Sequence, residues 1–506
     1  MKFMNKKARS ARKSSAIFLW FYLAVTSSAF CGVPAIDGLT PSSGAPGSVV
    51  TIIGRNFGPS RENNIVYFGA VRAVVKAAGR NKLTVIVPVG ATFAPITETV
   101  NGLTAYTDAS FLPTFQKHGG PDFKFPSLAS PVIIPEGNSP GCSVIADVDG
   151  DGKPDLVVAV GNDHVIAVYR NISSGGILTA GSFAPRVAIP VGTGVNDNIV
   201  VADIDGDGKL DIVAVDRDLN RVMVLRNDCT PGNIAFADRV DFATGNDPRG
   251  LAVRDMDGDG RPDIIVGNWA DSTISVLRNT STPGDITSNS FAGALTFAAG
   301  STPQSLAVAD LDGDGKADIA TANNNSSSSA ISIFRNTSVS GQIQLASLVD
   351  LPGLGDGQAM TIGDLDGDGK PDLAVVYFLN GQSLSVYRNI SRPRTLNSGS
   401  FAPPVNFPLG GWGNSIALGD LDGDGKPDVV VTTQLPDQLC IFRNLATPGR
   451  FSTRSLSQRW NFSSGYNPNG VHIGDLNGDG PPDIVFGNNY DQSIWIYQNT
   501  VSPAQK

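Results

Sequence analysis

A nine-residue string of acidic residues and glycines, Asp-x-(Asp/Asn)-Gly-Asp-Gly-x-x-Asp, recurs in this chain at intervals of 52 to 56 residues. The seven copies begin at Asp147, Asp203, Asp255, Asp310, Asp364, Asp420 and Asp475. Each copy offers side-chain oxygens at positions 1, 3, 5 and 9, and calcium prefers ligands of this kind in a flexible shell. The two glycines let the chain fold back around an ion, because glycine adopts positive φ at little cost. The pattern predicts about seven structural Ca²⁺ sites.

The predicted ligands follow from the positions in the string, with a backbone carbonyl at position 7 completing each set. The ligands at position 3 are Asp149, Asp205, Asp257, Asp312, Asp366, Asp422 and Asn477. Those at position 5 are Asp151, Asp207, Asp259, Asp314, Asp368, Asp424 and Asp479. Position 7 is occupied by Lys153, Lys209, Arg261, Lys316, Lys370, Lys426 and Pro481, and position 9 by Asp155, Asp211, Asp263, Asp318, Asp372, Asp428 and Asp483. Carboxylates packed this closely repel one another unless a cation lies among them, which disfavours a bare Gly-Asp turn.

The surrounding sequence excludes an EF-hand, although the first six positions match one. An EF-hand needs a bidentate Glu at position 12 between two helices, whereas here an Asp arrives at position 9. Short apolar runs rich in β-branched residues stand on both sides, such as LVVAV from Leu156 and VVVTT from Val429. Runs of this length and composition predict β-strands.

The start of the chain predicts export. Its first 29 residues carry six positive and no negative charges, followed by the apolar run Ala16 to Val25 and small residues up to Ala29. This arrangement is typical of a signal peptide cleaved after Ala29, and the run is too short for a membrane anchor. Cys31 raises the alternative of a lipoprotein, but Phe30 stands where a small residue is required. We therefore expect a secreted or cell-surface protein.

The composition of the chain narrows the class of protein further. The formal net charge of −9 argues against nucleic acid as a partner. After Cys31 the chain has only Cys142, Cys229 and Cys440, an odd number, which indicates lone core residues and no disulfide framework. At 506 residues the chain is too long for one ordinary core.

Each repeat predicts four strands, and the third strand regularly ends in Arg-Asn. Four strands per roughly 55 residues, seven times over, are typical of a β-propeller, whereas solenoid repeats are shorter. The seventh repeat has no room for a fourth strand before the chain ends. The segment Phe125 to Ile134 precedes the first repeat, and we expect it to pair with the last repeat and close the ring.

These residues resemble the FG-GAP/VCBS repeat family, the propeller type also found in integrin alpha subunits, over about Phe123 to Asn499. The resemblance implies a seven-bladed propeller with calcium in the loop between the first and second strands of each blade. It also implies that the motif positions are the ligands, with Asn477 supplying an oxygen without charge.

The segment before the repeats has short alternating strands and Gly/Pro turns, which predict a small β-sandwich. Its residues Gly54, Asn56, Phe57, Gly58, Phe68 and Gly69 resemble the IPT/TIG consensus. That resemblance implies an immunoglobulin-like module acting as a spacer or adhesion unit. The predicted organisation is a signal peptide at 1–29, the sandwich at 34–113, a linker at 114–124 and the propeller at 125–500. The predicted fold class is all-β.

Ligand contacts are expected on the face opposite the acidic loops, because the turns there vary between blades. The predicted ligand-binding residues are Trp269, Trp412, Tyr466, Tyr490, Asn268, Asp271 and Asn488. Aromatic residues beside amide and carboxylate groups suit stacking on sugar rings; local packing between turns is the alternative. Asn-x-Ser/Thr sequences at Asn171, Asn279 and Asn389 coincide with the Arg-Asn strand ends, which indicates repeat structure and not glycan attachment.

No catalytic signature appears, since the three histidines share no motif and no nucleophile or phosphate loop is present. The sequence favours a secreted, calcium-binding, non-catalytic binding or adhesion protein with a glycan or protein partner, monomeric and without a transmembrane segment. One alternative is a lectin-like propeller with a defined sugar site. A calcium-dependent polysaccharide lyase or hydrolase is the alternative from another class.

Overall fold

The computed structural model describes residues 32–115, 127–192, 194–195, 198–325, 329–379 and 382–501. The predicted signal peptide, Cys31 and most of the predicted linker lie outside these residues. The described part of the chain is all-β, and its only helical elements are the 3₁₀ turns Arg61–Asn63 and Ala180–Ser182. No helix in the described part has the length and apolar character needed to cross a membrane.

The N-terminal module is a β-sandwich of two sheets. One sheet has the order Ala35–Thr40, Val49–Arg55, Lys82–Ile86 and Val74–Gly79. The other has the order Ser43–Gly44, Leu103–Pro113, Ala94–Val100, Ile65–Phe68 and Val71–Arg72. Alternating residues face inward, so that Val50 and Ile52 are fully buried, and the rings of Phe68 and Phe111 meet edge to face at 4.8 Å. The predicted immunoglobulin-like sandwich is confirmed.

Seven four-stranded antiparallel sheets follow, each formed by one repeat in chain order except the last. Blade 1 comprises Pro140–Ala146, Asp155–Val160, Val165–Tyr169 and Val187–Pro190. Blade 2 comprises Ile199–Ala202, Asp211–Asp216, Arg221–Leu225 and Val240–Ala243. Blade 3 comprises Pro248–Arg254, Asp263–Asn268, Thr273–Leu277 and Leu295–Ala298. Blade 4 comprises Pro303–Ala309, Asp318–Asn323, Ser329–Phe334 and Val349–Pro352.

The remaining blades continue the pattern. Blade 5 comprises Gly357–Gly363, Asp372–Tyr377, Ser383–Tyr387 and Val405–Pro408. Blade 6 comprises Trp412–Gly419, Asp428–Gln434, Gln438–Phe442 and Trp460–Ser463. Blade 7 comprises Pro468–Gly474, Asp483–Asn488, Ser493–Tyr497 and, as its outer strand, Val132–Pro135. The seven-bladed propeller predicted from the repeats is confirmed.

The second strand of each blade explains the continuous apolar runs of the sequence. Every residue of Asp155–Val160 is buried, and the same holds for Asp263–Asn268 and Asp483–Asn488. These strands lie inside a sheet that neighbouring blades cover on both faces, so both sets of alternating side chains are apolar. Cys142, Cys229 and Cys440 are buried, as expected for core residues.

The ring closes as predicted. Val132–Pro135 runs antiparallel to Ser493–Tyr497, and Leu128 forms a further bridge with Asn499. The strand is shorter than the predicted segment, because Pro131 has no N–H to donate to a ladder. Pairing between the two ends of the propeller removes the open sheet edge that blade 7 would otherwise expose.

The sandwich does not stand apart as a spacer. Its second sheet packs on the end of the propeller that carries the acidic loops. The Tyr67 hydroxyl donates to the carbonyl of Gly208 at 2.7 Å, and the Thr104 N–H donates to the carbonyl of Gly260 at 2.6 Å. Both glycines belong to acidic loops, so the sandwich covers this end of the ring.

Candidate metal cages and the open face

Each acidic loop joins the first strand of a blade to the second, as predicted, and forms what we call a cage. In blade 1, Asp147, Asp149 and Asp155 each present a carboxylate oxygen, and these oxygens all lie within 4.8 Å of one another. The same three positions converge in blades 2, 4 and 5, at Asp203, Asp205, Asp211, Asp310, Asp312, Asp318, Asp364, Asp366 and Asp372. In blade 3 the converging residues are Asp255, Asp257 and Asp259. These clusters are able to hold metal ions.

The loop conformation brings the carboxylates inward. Gly150 and Gly152 have φ values of 74° and 88°, a region that side chains other than glycine rarely adopt. The reversal places the Gly152 N–H 3.1 Å from Asp147 Oδ2 and the Asp151 N–H 3.0 Å from Asp149 Oδ1. Backbone donors therefore orient the carboxylates before any ion is bound.

The position-9 carboxylate is the most constrained ligand. Both of its oxygens accept from backbone N–H groups in blade 1, Asp155 Oδ1 from Asn171 at 2.8 Å and Oδ2 from Val148 at 3.2 Å. Burial, opposed by these hydrogen bonds and reinforced by neighbouring carboxylates, raises the pKa of Asp155 to about 8. Burial likewise raises the pKa of Asp203 to about 7. Such groups take up protons near neutral pH unless a cation neutralises them.

Buried oxygens without partners show that the cages suit a hard cation. The following oxygens are buried and accept no hydrogen bond from any described residue: Asp147 Oδ1, Asp203 Oδ1, Asp257 Oδ2, Asp312 Oδ1 and Asp479 Oδ1. A buried carboxylate oxygen left unpaired is costly, and coordination to calcium would satisfy it. The Lys153 ammonium points away from its cage to the carbonyl of Ser173 at 2.6 Å. The predicted ligand role of the position-7 carbonyls stays a prediction.

The seventh cage differs from the others by two compensating changes. In blades 4 and 6, the arginine at the end of the third strand pairs with the position-3 carboxylate, with 2.5 Å between Arg335 Nε and Asp312 Oδ2. Blade 7 has Gln498 in place of this arginine and Asn477 at position 3. The Asn477 amide donates to Asp479 Oδ2 at 2.9 Å. Loss of one negative charge thus accompanies loss of one positive charge.

The asparagine that ends each third strand locks neighbouring cages together. Asn279 Nδ2 donates to the carbonyl of Pro262 in its own blade at 2.9 Å and to the carbonyl of Ile204 in blade 2 at 2.8 Å. The same pair of bonds recurs at Asn171, Asn227, Asn336, Asn389 and Asn444. Asn499 makes the bond to the preceding blade, at Leu421. The Arg-Asn recurrence was visible in the sequence, but it did not reveal this inter-blade role.

These asparagines are also buried, which decides whether the Asn-x-Ser/Thr sequences can carry glycans. Asn171, Asn279 and Asn389 have no exposed surface. A glycan cannot be carried on a side chain enclosed between two blades. The prediction that these sequences reflect repeat structure is confirmed.

Arg254 anchors the sandwich to the cage end of the ring. The residue before the cage is Ala or Gly in the other six repeats, and here it is a buried arginine. Its guanidinium lies 4.3 Å from the centre of the Tyr106 ring and donates to the carbonyl of Thr107 at 2.9 Å. Sandwich hydroxyls also reach two cages, Thr99 to Asp203 and Thr114 to Asp420.

The sandwich closes the centre of the ring at this end. A cavity of about 440 Å³ is lined by residues from the first strands of all seven blades. The sandwich contributes Tyr67, Phe93 and Tyr106 to its wall. The opposite end of the ring, formed by the turns between second and third strands and by the connections between blades, is referred to below as the open face.

On the open face, the blade 3 residues predicted to bind a ligand are tied into the turn. Asn268 ends a strand, accepts from the Gly245 N–H at 3.0 Å and donates to the hydroxyls of Thr273 and Ser275. Asp271 accepts from the backbone and side chain of Asn246. Trp269 is half-buried, with the Arg249 guanidinium 4.2 Å from its ring centre. Their contacts are those of local packing.

The remaining predicted residues lie in blades 6 and 7. Trp412 was predicted to lie in a turn, and this is wrong. The residue begins a strand, because the bend in the chain lies one residue earlier, and its ring centre is 4.9 Å from that of Phe378. Tyr466 and Tyr490 lie 5.0 Å apart and are 53% and 65% exposed. Asn488 is fully buried, and in the described part of the chain neither of its amide atoms has a hydrogen-bond partner. The structure brings the two tyrosines and Asn488 together and separates them from the blade 3 set.

Comparison with known proteins agrees with this architecture. A family model described as an FG-GAP-like repeat matches residues 147–214, 203–266, 255–321, 310–375, 376–431 and 424–486. A model of the IPT/TIG domain matches residues 34–116. No curated protein matches the chain by sequence.

Several solved structures are similar to this chain at low identity. BBS1N in complex with ARL6DN is 11% identical, with a TM-score of 0.47 over 75% of this chain and 98% of that one. An auxiliary nutrient binding protein from Bacteroides thetaiotaomicron is 11% identical, with a TM-score of 0.36 over 93% and 98% of the two chains. A lectin from Agrocybe aegerita, described as recognising non-reducing terminal N-acetylglucosamine, is 18% identical, with a TM-score of 0.41 over 81% and 91%.

The repeat matches run from residue 147 to residue 486, which is more than half of the chain, and they coincide with the blades and cages described above. The protein therefore belongs to the FG-GAP-like repeat family and carries an IPT/TIG domain ahead of its propeller.

Proposed function

We propose that this protein is a secreted, non-catalytic binding protein whose propeller is stabilised by calcium and whose ligand docks on the open face. One observation carries the proposal: the sandwich covers the cage end of the ring through Tyr67, Thr104 and Arg254. The open face is the end where the turns differ between blades. Variable loops on a rigid scaffold are the usual location of binding residues.

Calcium would be held by the residues at positions 1, 3, 5 and 9 of the cages, and it would neutralise their charge and cross-link the first and second strands of each blade. The buried oxygens without partners, such as Asp147 Oδ1 and Asp257 Oδ2, support this assignment. The Asn279 type of contact transmits the order of one cage to the next, because it joins the two loops directly.

The observed groups favour binding over catalysis. Burial lowers the pKa of His472 to about 4, so its imidazole is neutral at physiological pH and enclosed. His164 lies exposed in a turn of blade 1. On the open face, the Asp271 and Asp491 carboxylates accept from backbone N–H groups. The lyase or hydrolase alternative would need a non-repeating group of acids and bases in one pocket.

The test is a binding screen with the chain that starts after residue 29. The protein is presented to a glycan array and to a panel of cell surfaces in 1 mM calcium, and then again in EDTA. We expect saturable binding that depends on calcium and releases no product from the glycans. If mass spectra of the eluted glycans show reaction products, the protein is an enzyme and the proposal of a non-catalytic binding protein is wrong.

Secretion is tested separately. The full chain is expressed with a C-terminal tag, and the extracellular fraction is analysed by N-terminal sequencing. We expect a protein that begins at Phe30. Retention of the tag in the cytoplasmic fraction with an intact N-terminus would contradict the proposed localisation.

A further inference from the structure

Apolar side chains are concentrated on one side of the open face. Leu379 in blade 5, Leu435 in blade 6 and Tyr466 and Tyr490 in blade 7 are each at least half exposed. The half-buried rings of Phe378 and Trp412 lie among them. We call Phe378, Leu379, Trp412, Leu435, Tyr466 and Tyr490 the aromatic arc.

The aromatic arc is continuous across three blades. The Phe378 and Trp412 rings, 4.9 Å apart, join blade 5 to blade 6. The Asn467 side chain accepts from Gln434, and the Asn467 N–H donates to Asp437 at 3.0 Å, which joins blade 6 to blade 7. The Tyr490 N–H donates to the carbonyl of Tyr466 at 3.2 Å, which fixes the tyrosine pair.

The polar groups beside the aromatic arc are mostly amides, and its carboxylates are already engaged. Asp437 accepts from the Asn467 N–H and Asp491 from the Tyr466 N–H at 2.6 Å. Arg459 is the nearby cation, and it lies beside Gly410 with a contact to the carbonyl of Pro408. The surface offered to a partner is therefore aromatic and amide in character.

The open face of blades 2 and 3 has the opposite character. Arg217 and Arg249 both pair with Asp247, and Arg221 pairs with Asp216 and Asp241, at distances of 2.6 to 2.8 Å. The clustered arginine–aspartate pairs of this face thus lie on blades 2 and 3, whereas the carboxylates beside the aromatic arc accept from backbone N–H groups. Blades 2 and 3 therefore suit a charged partner, because they offer charged side chains, and blades 5 to 7 suit a neutral partner.

Blade 7 also has an unsatisfied buried amide. Asn488 occupies the place that Asn268 has in blade 3, where the hydroxyls of Thr273 and Ser275 accept from the amide. In blade 7 the second hydroxyl is replaced by Trp495, whose Nε1 donates to Ser493 at 3.0 Å. Neither amide atom of Asn488 has a hydrogen-bond partner among the residues that the structure describes, although the side chain is fully buried.

An amide left without partners beside the tyrosine pair points to a ligand or an ordered water that supplies them. Asn488 lies against Gly465, directly before Tyr466, since a Cβ added to Gly465 would come within 2.6 Å of Asn488 Cγ. A buried polar group without a partner costs free energy, and an ordered water that links it to a ligand hydroxyl recovers it.

We propose that the aromatic arc binds a neutral glycan chain, whose pyranose rings stack on Tyr466 and Tyr490 and extend along blade 6 to Trp412 and Leu379. Pyranoses with equatorial hydroxyls present a C–H face to an aromatic ring and hydroxyls to amides at its edge, which are the two kinds of group found here. This inference rests on the proposed function, and it names the ligand class and the part of the open face that binds it.

The experiment uses the chain from residue 30 to residue 506 in 1 mM calcium. An array of neutral and anionic oligosaccharides identifies bound glycans, and titration calorimetry measures the affinity of the best neutral one. The variant Tyr466→Ala/Tyr490→Ala removes the stacking rings, and Tyr466→Phe/Tyr490→Phe keeps them. Leu219→Ala, at a residue of blade 2 that is also 53% exposed, is the matched control on the same face.

We expect the alanine variant to lose about tenfold or more in affinity, and the phenylalanine variant and Leu219→Ala to retain most of it. Melting temperatures should be unchanged in all three. If a neutral glycan binds equally well to the alanine variant, the aromatic arc is the wrong site, while the proposed function stands. Selective binding of anionic glycans, or of proteins alone, would overturn the neutral-glycan assignment. Absence of any ligand in both screens would remove the proposed function together with this inference.

Discussion

The two ends of the propeller are built from the same strands but differ in how much they vary. At the cage end, every blade repeats the nine-residue loop and the asparagine contact of the Asn279 type. At the open face, blade 3 carries the ion-paired Arg249, whereas blade 7 carries two exposed tyrosines. The end with the repeated loops holds the ring together, and the end with the variable turns is the one where we propose that a partner binds.

The two ends of the propeller should also contribute differently to its stability. Cage residues are buried and joined to the next blade, so a change there alters two blades at once. Open-face residues such as Tyr490 are exposed, and Tyr490 contacts the ring of Tyr466 in a neighbouring connection. We therefore expect stability to depend on the cage end and ligand affinity on the open face, and the following predictions test that division in order of decreasing effect.

Removal of calcium should have the largest effect. Extracellular-type sites bind calcium at about 0.1–1 mM, so each site would contribute about 0.4–1.4 kcal/mol at 1 mM calcium, and seven about 3–10 kcal/mol. Thermal unfolding in EDTA and in 1 mM calcium measures the difference, with magnesium as the control ion. Equal midpoints in EDTA and calcium would mean that the cages are not metal sites.

Glu98 should make the sandwich sensitive to pH. Its carboxylate is fully buried, neither oxygen has a partner within the described ranges of the chain, and burial raises the pKa of Glu98 to about 8. The folded protein therefore keeps a proton that the unfolded chain loses near pH 4.5. The free energy of unfolding should fall as pH rises from about 4.5 to about 8 and level off above that range.

The variant Glu98→Gln removes this charge. In saturating calcium, its stability relative to the wild type should grow by about 3 kcal/mol between pH 5 and pH 8. Denaturant unfolding at a series of pH values measures the change, and Glu62→Gln, at an exposed position, is the control. Parallel stability profiles for the wild type and Glu98→Gln would show that the buried carboxyl titrates normally.

Asn279→Ala should destabilise the ring by about 2–3 kcal/mol, because it removes the amide that donates to the carbonyls of Ile204 and Pro262. Asn289→Ala, at an exposed residue of the same blade, is the control. Chemical denaturation in calcium measures both. A loss no greater than that of the control would show that the inter-blade contact is dispensable.

Arg254→Ala should cost about 1–2 kcal/mol and act on the docking of the sandwich, since it removes the contact with the Tyr106 ring and the bond to Thr107. Alanine already stands at this position in other repeats, so the strand itself should tolerate it. Hydrogen exchange should increase in the strand Leu103–Pro113. Arg454→Ala, at an exposed arginine, serves for comparison; the same exchange in both variants would contradict the anchor role.

Tyr490→Ala should have the smallest effect on stability, within about 0.5 kcal/mol, because the side chain is exposed on the open face. Its melting temperature in calcium should match that of the wild type. A large loss would show that the tyrosine pair stabilises blade 7, and the division between the two faces would then fail there.

Much of this molecule follows from local sequence. The Asp-Gly loop specifies its own turn through glycine φ and carboxylate hydrogen bonds within nine residues, and the β-branched runs beside it form strands wherever the loop occurs. Because the pattern repeats, the blade number and the cage positions could be predicted from it. The lack of a fourth strand in the seventh repeat likewise predicted that the segment Phe125 to Ile134 closes the ring, since an open sheet edge must find a partner. The closing strand in the structure is Val132–Pro135.

Tertiary structure alone decided what depends on contacts between distant residues. Packing between segments far apart in the chain places the sandwich over the cages and Arg254 against Tyr106. It also decides that the Asn268 amide has hydrogen-bond partners, whereas the Asn488 amide has none among the described residues. A turn such as Asn-Trp and a turn such as Asn-Tyr look alike as sequence. Burial and hydrogen-bond partners, which only the folded ring defines, separate the structural Trp269 from the exposed Tyr490.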